Sequence, residues 1–346
     1  MNIQEVARQA EVSTATVSRT INKPEAVDPI TAARVWKVIG ELNYLPNTQA
    51  RSLVSGRSRI IGLIVSDITN PFFPELIKGF EEVATESGYE ILISSTNYDS
   101  ARTALCVRRM LERKVDGVAI MTSEMDKLLV DQLVHRGVPV VFLDVGTVHK
   151  HISNIRVNYA KGIGEAVEHL LALGHRRIAF ISGPLGLKSA RTRRTAFLRC
   201  LDKFGIIEDD RMIQVGDHTV DGGFQAMQRL LALPLPPTAV LASNDLTAIG
   251  TMRAVRGAGL RVPEDISTVG FDDIHLAEFT EPPLTTVRLP RDETARKAFD
   301  ALLFDINSSK LDDAVHGAEH EIDTFLIVRE STGPVASPKP WLMPAS

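Results

Sequence analysis

VSTATVSRTIN, residues 12–22, is the stretch from which the rest of the chain is read. Just before it, IQEVARQA sets Ile3, Val6, Ala7 and Ala10 at i, i+3, i+4 and i+7, the stripe of a short amphipathic helix. Ser13 then stands where a second helix needs an N-cap, because its hydroxyl oxygen can accept an orphan backbone N–H of the first turn. Two short helices joined by about three residues describe a helix-turn-helix. The second helix turns Val17 and Ile21 inward and offers Thr14, Ala15, Ser18 and Arg19 outward. Small side chains let a helix approach a DNA groove closely, and arginine carries the donor fork that matches a guanine edge. A solvated helical hairpin has the same local pattern, so these residues alone leave both readings open.

The flanking sequence extends the unit. In DPITAARVWKVIGELNYLPN, Asp28 is an N-cap with Pro29 at the first helical position, and Val35, Val38, Ile39 and Leu42 form a further inward stripe. Three stripes of this kind close one small helical core, ending before Pro46. TQARSLVSGRSR, residues 48–59, reads as a polar, basic linker whose first half, with Ala50, Arg51 and Leu53, can form only a turn or two of helix.

Charge is distributed unevenly. The 346-residue chain has a formal net charge of −4, yet residues 1–59 hold eight Lys and Arg against five Asp and Glu. A mildly basic head on an acidic body suits a small nucleic-acid module attached to a soluble sensor. Only two cysteines occur, Cys106 and Cys200, which argues against a disulfide framework and for a reducing cytoplasm. The first residues carry no basic-then-apolar leader, and no apolar run long enough to cross a membrane follows, so neither secretion nor a membrane partner is expected.

From Ile60 the pattern becomes short apolar runs between helical stretches: IIGLIV, YEILIS, GVAIM, VPVVFL, RIAFIS, TAVLAS and ISTVGF. Runs with so little polar alternation are strands buried on both faces of parallel sheets. Further strands are expected near Thr285–Arg288 and over Ile322–Val328, and the total favours two doubly wound α/β lobes with ligands at the carboxyl ends of strands.

An α/β sheet invites an enzyme reading, but no phosphate loop, nucleophile elbow, zinc helix or C-x-x-C pair occurs. Gly162-Ile163-Gly164 begins a dinucleotide-like motif, yet Val167 occupies the third glycine position. His149 and His151 are the one close histidine pair, in a polar loop that reads as solvated. Neither catalysis, a cofactor nor a metal is expected.

VSTATVSRTIN, ELNYLPN and ARSLVSG, then IGLIVSDITNPFF, VDGVAIM, GHRRIAFISGP, PTAVLASND, VGFDD and PPLTTVR, in that order, closely resemble the lactose and galactose repressor (LacI/GalR) family over roughly residues 2–330. The resemblance implies a helix-turn-helix head at 1–46, a hinge helix and linker at 47–59, and a two-lobed, periplasmic-binding-protein-like core at 60–333. Lobe 1 is placed at about 60–158 and 289–317, lobe 2 at about 159–288 and 318–333, and 334–346 is read as a disordered tail. It further implies a homodimer on double-stranded, near-palindromic operator DNA, controlled by a small-molecule effector. Carried over by motif, Thr14, Ala15 and Arg19 reach base edges, Ser13, Thr16, Ser18 and Asn22 hold phosphates, and Ala50 and Leu53 belong to the hinge, with Leu53 the minor-groove wedge. Glu11 departs from the family, which favours Gly or Asn in that turn. The cleft is expected to include Phe72, Phe73, Ser189, Arg193, Asn244 and Asp272, groups that can stack on a ring and bond its hydroxyls. The four cations of KSARTRR tilt the expected effector toward an anion, with a neutral sugar close behind because Asp272 opposes negative charge. A solute-binding protein without a DNA role is the alternative.

Overall fold

The computed structural model describes residues 2–45, 56–122, 125–144, 148–207, 209–308 and 317–335. Ala50 and Leu53, with most of the expected hinge and linker, lie outside the described residues, as do residues 336–346. The chain divides into two units, residues 1–58 and 59–346, each treated by itself.

In the first unit, α1 (Ile3–Gln9), α2 (Thr14–Asn22) and α3 (Pro29–Glu41) enclose a core of Val6, Ala7, Ala10, Val17, Val35, Val38, Ile39 and Tyr44. Local chemistry sets each boundary. Asn2 Oδ1 caps α1 by accepting from the Glu5 amide at 3.0 Å, Ser13 Oγ accepts from the Thr16 amide at 3.1 Å, and Asp28 Oδ2 accepts from the Thr31 amide at 2.9 Å. At the turn, the Glu11 amide donates to the Arg8 carbonyl and the Val12 amide to the Ala7 carbonyl, the paired bonds of a Schellman ending. That ending needs a left-handed residue at Glu11, where φ is 52°. Thr20, which the sequence reading left unassigned, is fully buried and donates its hydroxyl to the Thr16 carbonyl at 3.0 Å.

The second unit holds two six-stranded sheets. Lobe 1 contains β1 (Ile60–Val65), β2 (Glu90–Ser95), β3 (Gly117–Met121), β4 (Val140–Leu143), β5 (Ile152–Asn158) and β11 (Glu319–Asp323), in the order β11-β5-β4-β3-β1-β2, all parallel. Lobe 2 contains β6 (Ile178–Ser182), β7 (Ile213–Val215), β8 (Ala239–Ala242), β9 (Ser267–Asp272), β10 (Thr285–Arg288) and β12 (Phe325–Ile327), in the order β12-β10-β9-β8-β6-β7, with only β12 antiparallel. Lobe 1 takes helices α4 (Phe72–Glu86), α5 (Ser100–Glu112), α6 (Lys127–His135) and α11 (Arg291–Ser308). Lobe 2 takes α7 (Tyr159–Ala172), α8 (Lys188–Lys203), α9 (Val220–Leu231) and α10 (Asp245–Gly257). The expected α/β class, helical head and two parallel-sheet lobes are what the chain adopts.

The last crossing between lobes corrects the expected boundary. It falls between Asp323 and Phe325, not at 317/318, because β11 pairs with β5 while β12 pairs with β10. The single strand expected over 322–328 is therefore two strands in two sheets. Thr324 sits at the break, fully buried, donating its hydroxyl to the Asn158 carbonyl at 2.7 Å and accepting from the Gly162 amide at 3.1 Å. A Cβ on Gly162 would lie 2.5 Å from Thr324 Oγ1 and 2.4 Å from Val287, so the first glycine of the GIG stretch serves the crossover's close packing. At the C-terminal side, the Val335 amide donates to the Leu173 carbonyl at 2.9 Å, extending the fold past the expected tail boundary.

Candidate DNA-reading face and ligand cleft

On α2, Thr14, Ala15, Arg19 and Asn22 are exposed, with Thr16 and Ser18 half-buried. Several of the polar side chains are engaged with the helix itself. Ser13 caps Thr16, their hydroxyls lie 2.9 Å apart, and Asn22 Nδ2 donates to the Ser18 carbonyl at 2.8 Å. Thr14, Ala15 and Arg19 make no side-chain hydrogen bond or ion pair among the described residues, so this trio faces outward uncommitted.

The six expected cleft residues, Phe72, Phe73, Ser189, Arg193, Asn244 and Asp272, line one cavity, with about 590 Å3 of empty space including its open mouth. Phe72 and Phe73 open α4 and meet edge to face at 5.2 Å, both buried. Asn70 Oδ1 accepts from the Phe72 amide at 3.1 Å and so aims this helix start. Asn244 caps α10, accepting from the Thr247 amide at 2.9 Å while its Nδ2 donates to the His218 carbonyl at 3.0 Å.

Arg193 dominates the lobe 2 wall. Its guanidinium lies 3.9 Å from the Phe271 ring centroid and 5.0 Å from that of Tyr159, donates through Nη1 to the Ser243 carbonyl, and pairs with Asp272 at 3.3 Å. Burial pushes the Asp272 carboxyl up to about 6, against the opposing pull of Arg193 and Arg291. Asp272 has φ 106°, and Arg291 Nη1 donates to its carbonyl at 2.7 Å. Across the cleft, burial raises the pKa of Asp144, whose carboxyl accepts from the Val157 amide at 3.2 Å. Lys188 Nζ reaches over to the Asp144 carbonyl at 2.7 Å.

This arrangement weakens the expected tilt toward an anionic effector. Of the four cations in KSARTRR, only Arg193 lines the cavity, and Asp272 already balances it. Arg191 is exposed and donates to the Leu185 and Gly186 carbonyls at 2.6 Å. The helical 100° step between successive residues turns Arg194 off the cleft line.

Sequence reasoning missed Ser66, Tyr98, Thr122, Asp144, Tyr159 and His218, which also line the cavity. A usable signal existed for most of them: Ser66, Thr122, Asp144 and Tyr159 each follow directly on the carboxyl end of a lobe 1 strand, where open α/β sheets place their ligands. Among the described residues no cluster suited to a metal ion occurs, and no helix is long and apolar enough to cross a membrane.

Comparison with known proteins agrees with this architecture. The family of bacterial regulatory proteins, lacI family, matches residues 2–47, and the periplasmic binding protein-like domain matches residues 167–332. The ribose operon repressor of Escherichia coli K12 is 37% identical over 311 residues, 89% of this chain and 94% of that protein. The HTH-type transcriptional repressor CytR of the same organism is 35% identical over 332 residues, 95% and 96% of the two chains. The lac repressor dimer bound to operator and the anti-inducer ONPF is 30% identical, with a TM-score of 0.84 across 96% of this chain and 99% of that one. A LacI family transcriptional regulator from Enterococcus faecium with bound ribose is 29% identical, with a TM-score of 0.69 across 80% and 99%.

Proposed function

The chain belongs to the lacI family of bacterial regulatory proteins, and from that premise we propose that it is a cytoplasmic, homodimeric repressor whose grip on operator DNA is set by a neutral sugar in its cleft. It is a DNA-binding transcriptional regulator, and the two relatives above are repressors rather than enzymes. The cleft acts here as a sensor: it holds no nucleophile and base in hydrogen-bond reach that would point to turnover. Two-fold symmetry follows from the need to place two reading helices on a palindromic site.

The observation that carries the ligand class is the Arg193–Asp272 pair, 3.3 Å apart and facing the cavity. A balanced cation and carboxylate, with Asn244 beside them, offer donors and acceptors to vicinal hydroxyls without favouring a net charge. Phe72 and Phe73 supply apolar faces for a ring. A ring of monosaccharide size matches the cavity, and the ribose named for two of the similar proteins makes D-ribose the first compound to try. Binding shifts the lobes, and through them the dimer's affinity for DNA, by the ligand's differential affinity for the two arrangements.

The test is fluorescence anisotropy with a duplex selected from random DNA, titrated with the dimer in the absence and presence of D-ribose, ribose 5-phosphate, hexoses and nucleosides. The reading expects a neutral compound to change operator affinity by about 5- to 150-fold. Binding of the phosphate alone overturns the neutral-sugar assignment, and failure to select any DNA overturns the regulator.

A further inference from the structure

Three buried polar atoms on the lobe 2 wall of the cleft have no hydrogen-bond partner among the described residues: Arg193 Nε, His218 Nε2 and Ser243 Oγ. Their residues are tied together, since Arg193 Nη1 donates to the Ser243 carbonyl and Asn244 Nδ2 donates to the His218 carbonyl at 3.0 Å. Buried polar groups are overwhelmingly partnered in folded proteins, so three orphans in one linked cluster require an explanation.

His218 carries a second cost. Its φ is 66°, in the left-handed region, and the turn is fastened by Asp217, whose Oδ1 accepts from the Thr219 amide at 3.0 Å and hydroxyl at 2.6 Å. Gly183 leaves room for the ring, because a Cβ there would lie 1.9 Å from His218 Nε2. Burial and the charge of Arg193 push the imidazole pKa down to about 3, so the ring is neutral at physiological pH. A strained backbone and unmade hydrogen bonds gain nothing in the unliganded chain, and costs of this kind concentrate where a ligand is bound.

We propose that Arg193 Nε, His218 Nε2 and Ser243 Oγ form a subsite for one ligand hydroxyl, and that His218 and Ser243 set specificity. This rests on the reading of the cleft as a neutral-sugar site. The Arg193 Nε–H can only donate, whereas a neutral imidazole nitrogen and a serine oxygen can each accept. A hydroxyl oxygen accepts from Arg193 and passes its own proton to His218 or Ser243 as a donor, so one group answers both needs. A carboxylate or phosphate would add negative charge beside Asp272, which already balances Arg193.

The experiment compares wild type, His218→Phe and Ser243→Ala in the full chain by thermal unfolding without ligand and by calorimetric titration with D-ribose. Both variants remove an orphan, so the expected unliganded midpoint is equal to or above that of wild type, while D-ribose affinity falls at least tenfold. A midpoint several degrees lower in both variants overturns the proposal by showing that the side chains serve the unliganded fold, and so does unchanged D-ribose affinity. If wild type itself binds no sugar, the neutral-sugar reading has failed. The unliganded midpoints then decide the subsite separately: a raised midpoint upholds the orphan cluster, and a lowered one refutes it.

Discussion

Arg193 and Asp272 face each other at 3.3 Å with side chains only 9% and 6% exposed, one buried charge answering another inside the cavity. A buried pair of this kind contributes little net stability, but removing one partner leaves the other charge uncompensated. Asp272→Asn is therefore expected to shift the cleft's preference from neutral sugars toward sugar acids and phosphates. Calorimetry with D-ribose and ribose 5-phosphate checks this: the ratio of their affinities should move at least tenfold toward the phosphate. An unchanged ratio would mean that Arg193 does not face the ligand.

The same carboxylate predicts a pH dependence. Burial holds its pKa at about 6 in the fold against an ordinary 3.8, with Arg193 and Arg291 pulling the other way. Because the folded value is raised, its contribution to stability is fully present below pH 3.8 and is lost as pH rises through about 6. Ligand binding that uses the Arg193–Asp272 pair runs oppositely, weakening as pH falls through about 6 and the carboxylate is protonated. Titrations from pH 5 to pH 8 should show that fall in wild type and a flatter profile in Asp272→Asn.

Glu75 joins the lobes outside the cavity. Its Oε1, on α4 of lobe 1, accepts from the His275 amide of lobe 2 at 3.0 Å, while Oε2 pairs with Arg291 at 2.8 Å. In the unliganded chain Glu75→Ala should speed hydrogen exchange at the His275 amide about tenfold, the equivalent of roughly 1.4 kcal/mol for one such bond. Glu75→Gln retains an acceptor and should exchange nearly as wild type. Equal exchange in all three would mean that this bond does not hold the lobes.

Glu11 gives a stability prediction for the head. Its φ of 52° closes the turn between α1 and α2, a conformation that costs most L-residues about 1 kcal/mol. Glu11→Asn should stabilise the head by about 0.5–1 kcal/mol, since asparagine tolerates this region better. Denaturant unfolding followed by Trp36 fluorescence in a Trp341→Phe background reads it. Loss of stability would show that the glutamate side chain contributes something the turn geometry does not explain.

Where the sequence spoke clearly, the determinants are local. Ser13, Asp28 and Pro29 mark helix starts by chemistry acting within one turn, and runs such as IIGLIV are strands because both faces are buried. The strand ISNIRVN was missed because its polar residues answer partners far along the chain. Arg156 pairs with Glu319 and Glu321 on the adjacent strand, a match no window of neighbouring residues contains. The crossover at Thr324 is hidden for the same reason, since it depends on Asn158 and Gly162. In the cleft, motif matching found Arg193 and Asp272, but His218 sits in a loop where its turn, the space left by Gly183 and the clamp from Asn244 appear only in three dimensions.

Arg19 is the decisive residue of the reading face. It is exposed on α2 next to residues whose side chains cap or brace the helix, and its guanidinium has no partner among the described residues. A guanidinium that reads a guanine edge confers discrimination, whereas one that holds a phosphate contributes equally on any sequence. Arg19→Ala should therefore weaken binding to the selected duplex by about 1–3 kcal/mol and leave binding to a scrambled duplex nearly unchanged. Salt dependence separates the two roles further, because each lost phosphate contact flattens the slope of log K against log salt by about 0.9. Anisotropy titrations of both duplexes at several salt concentrations should show specificity lost with the slope retained. Equal losses on both duplexes, with a flatter slope, would make Arg19 a phosphate contact and move base reading to Thr14 and Ala15.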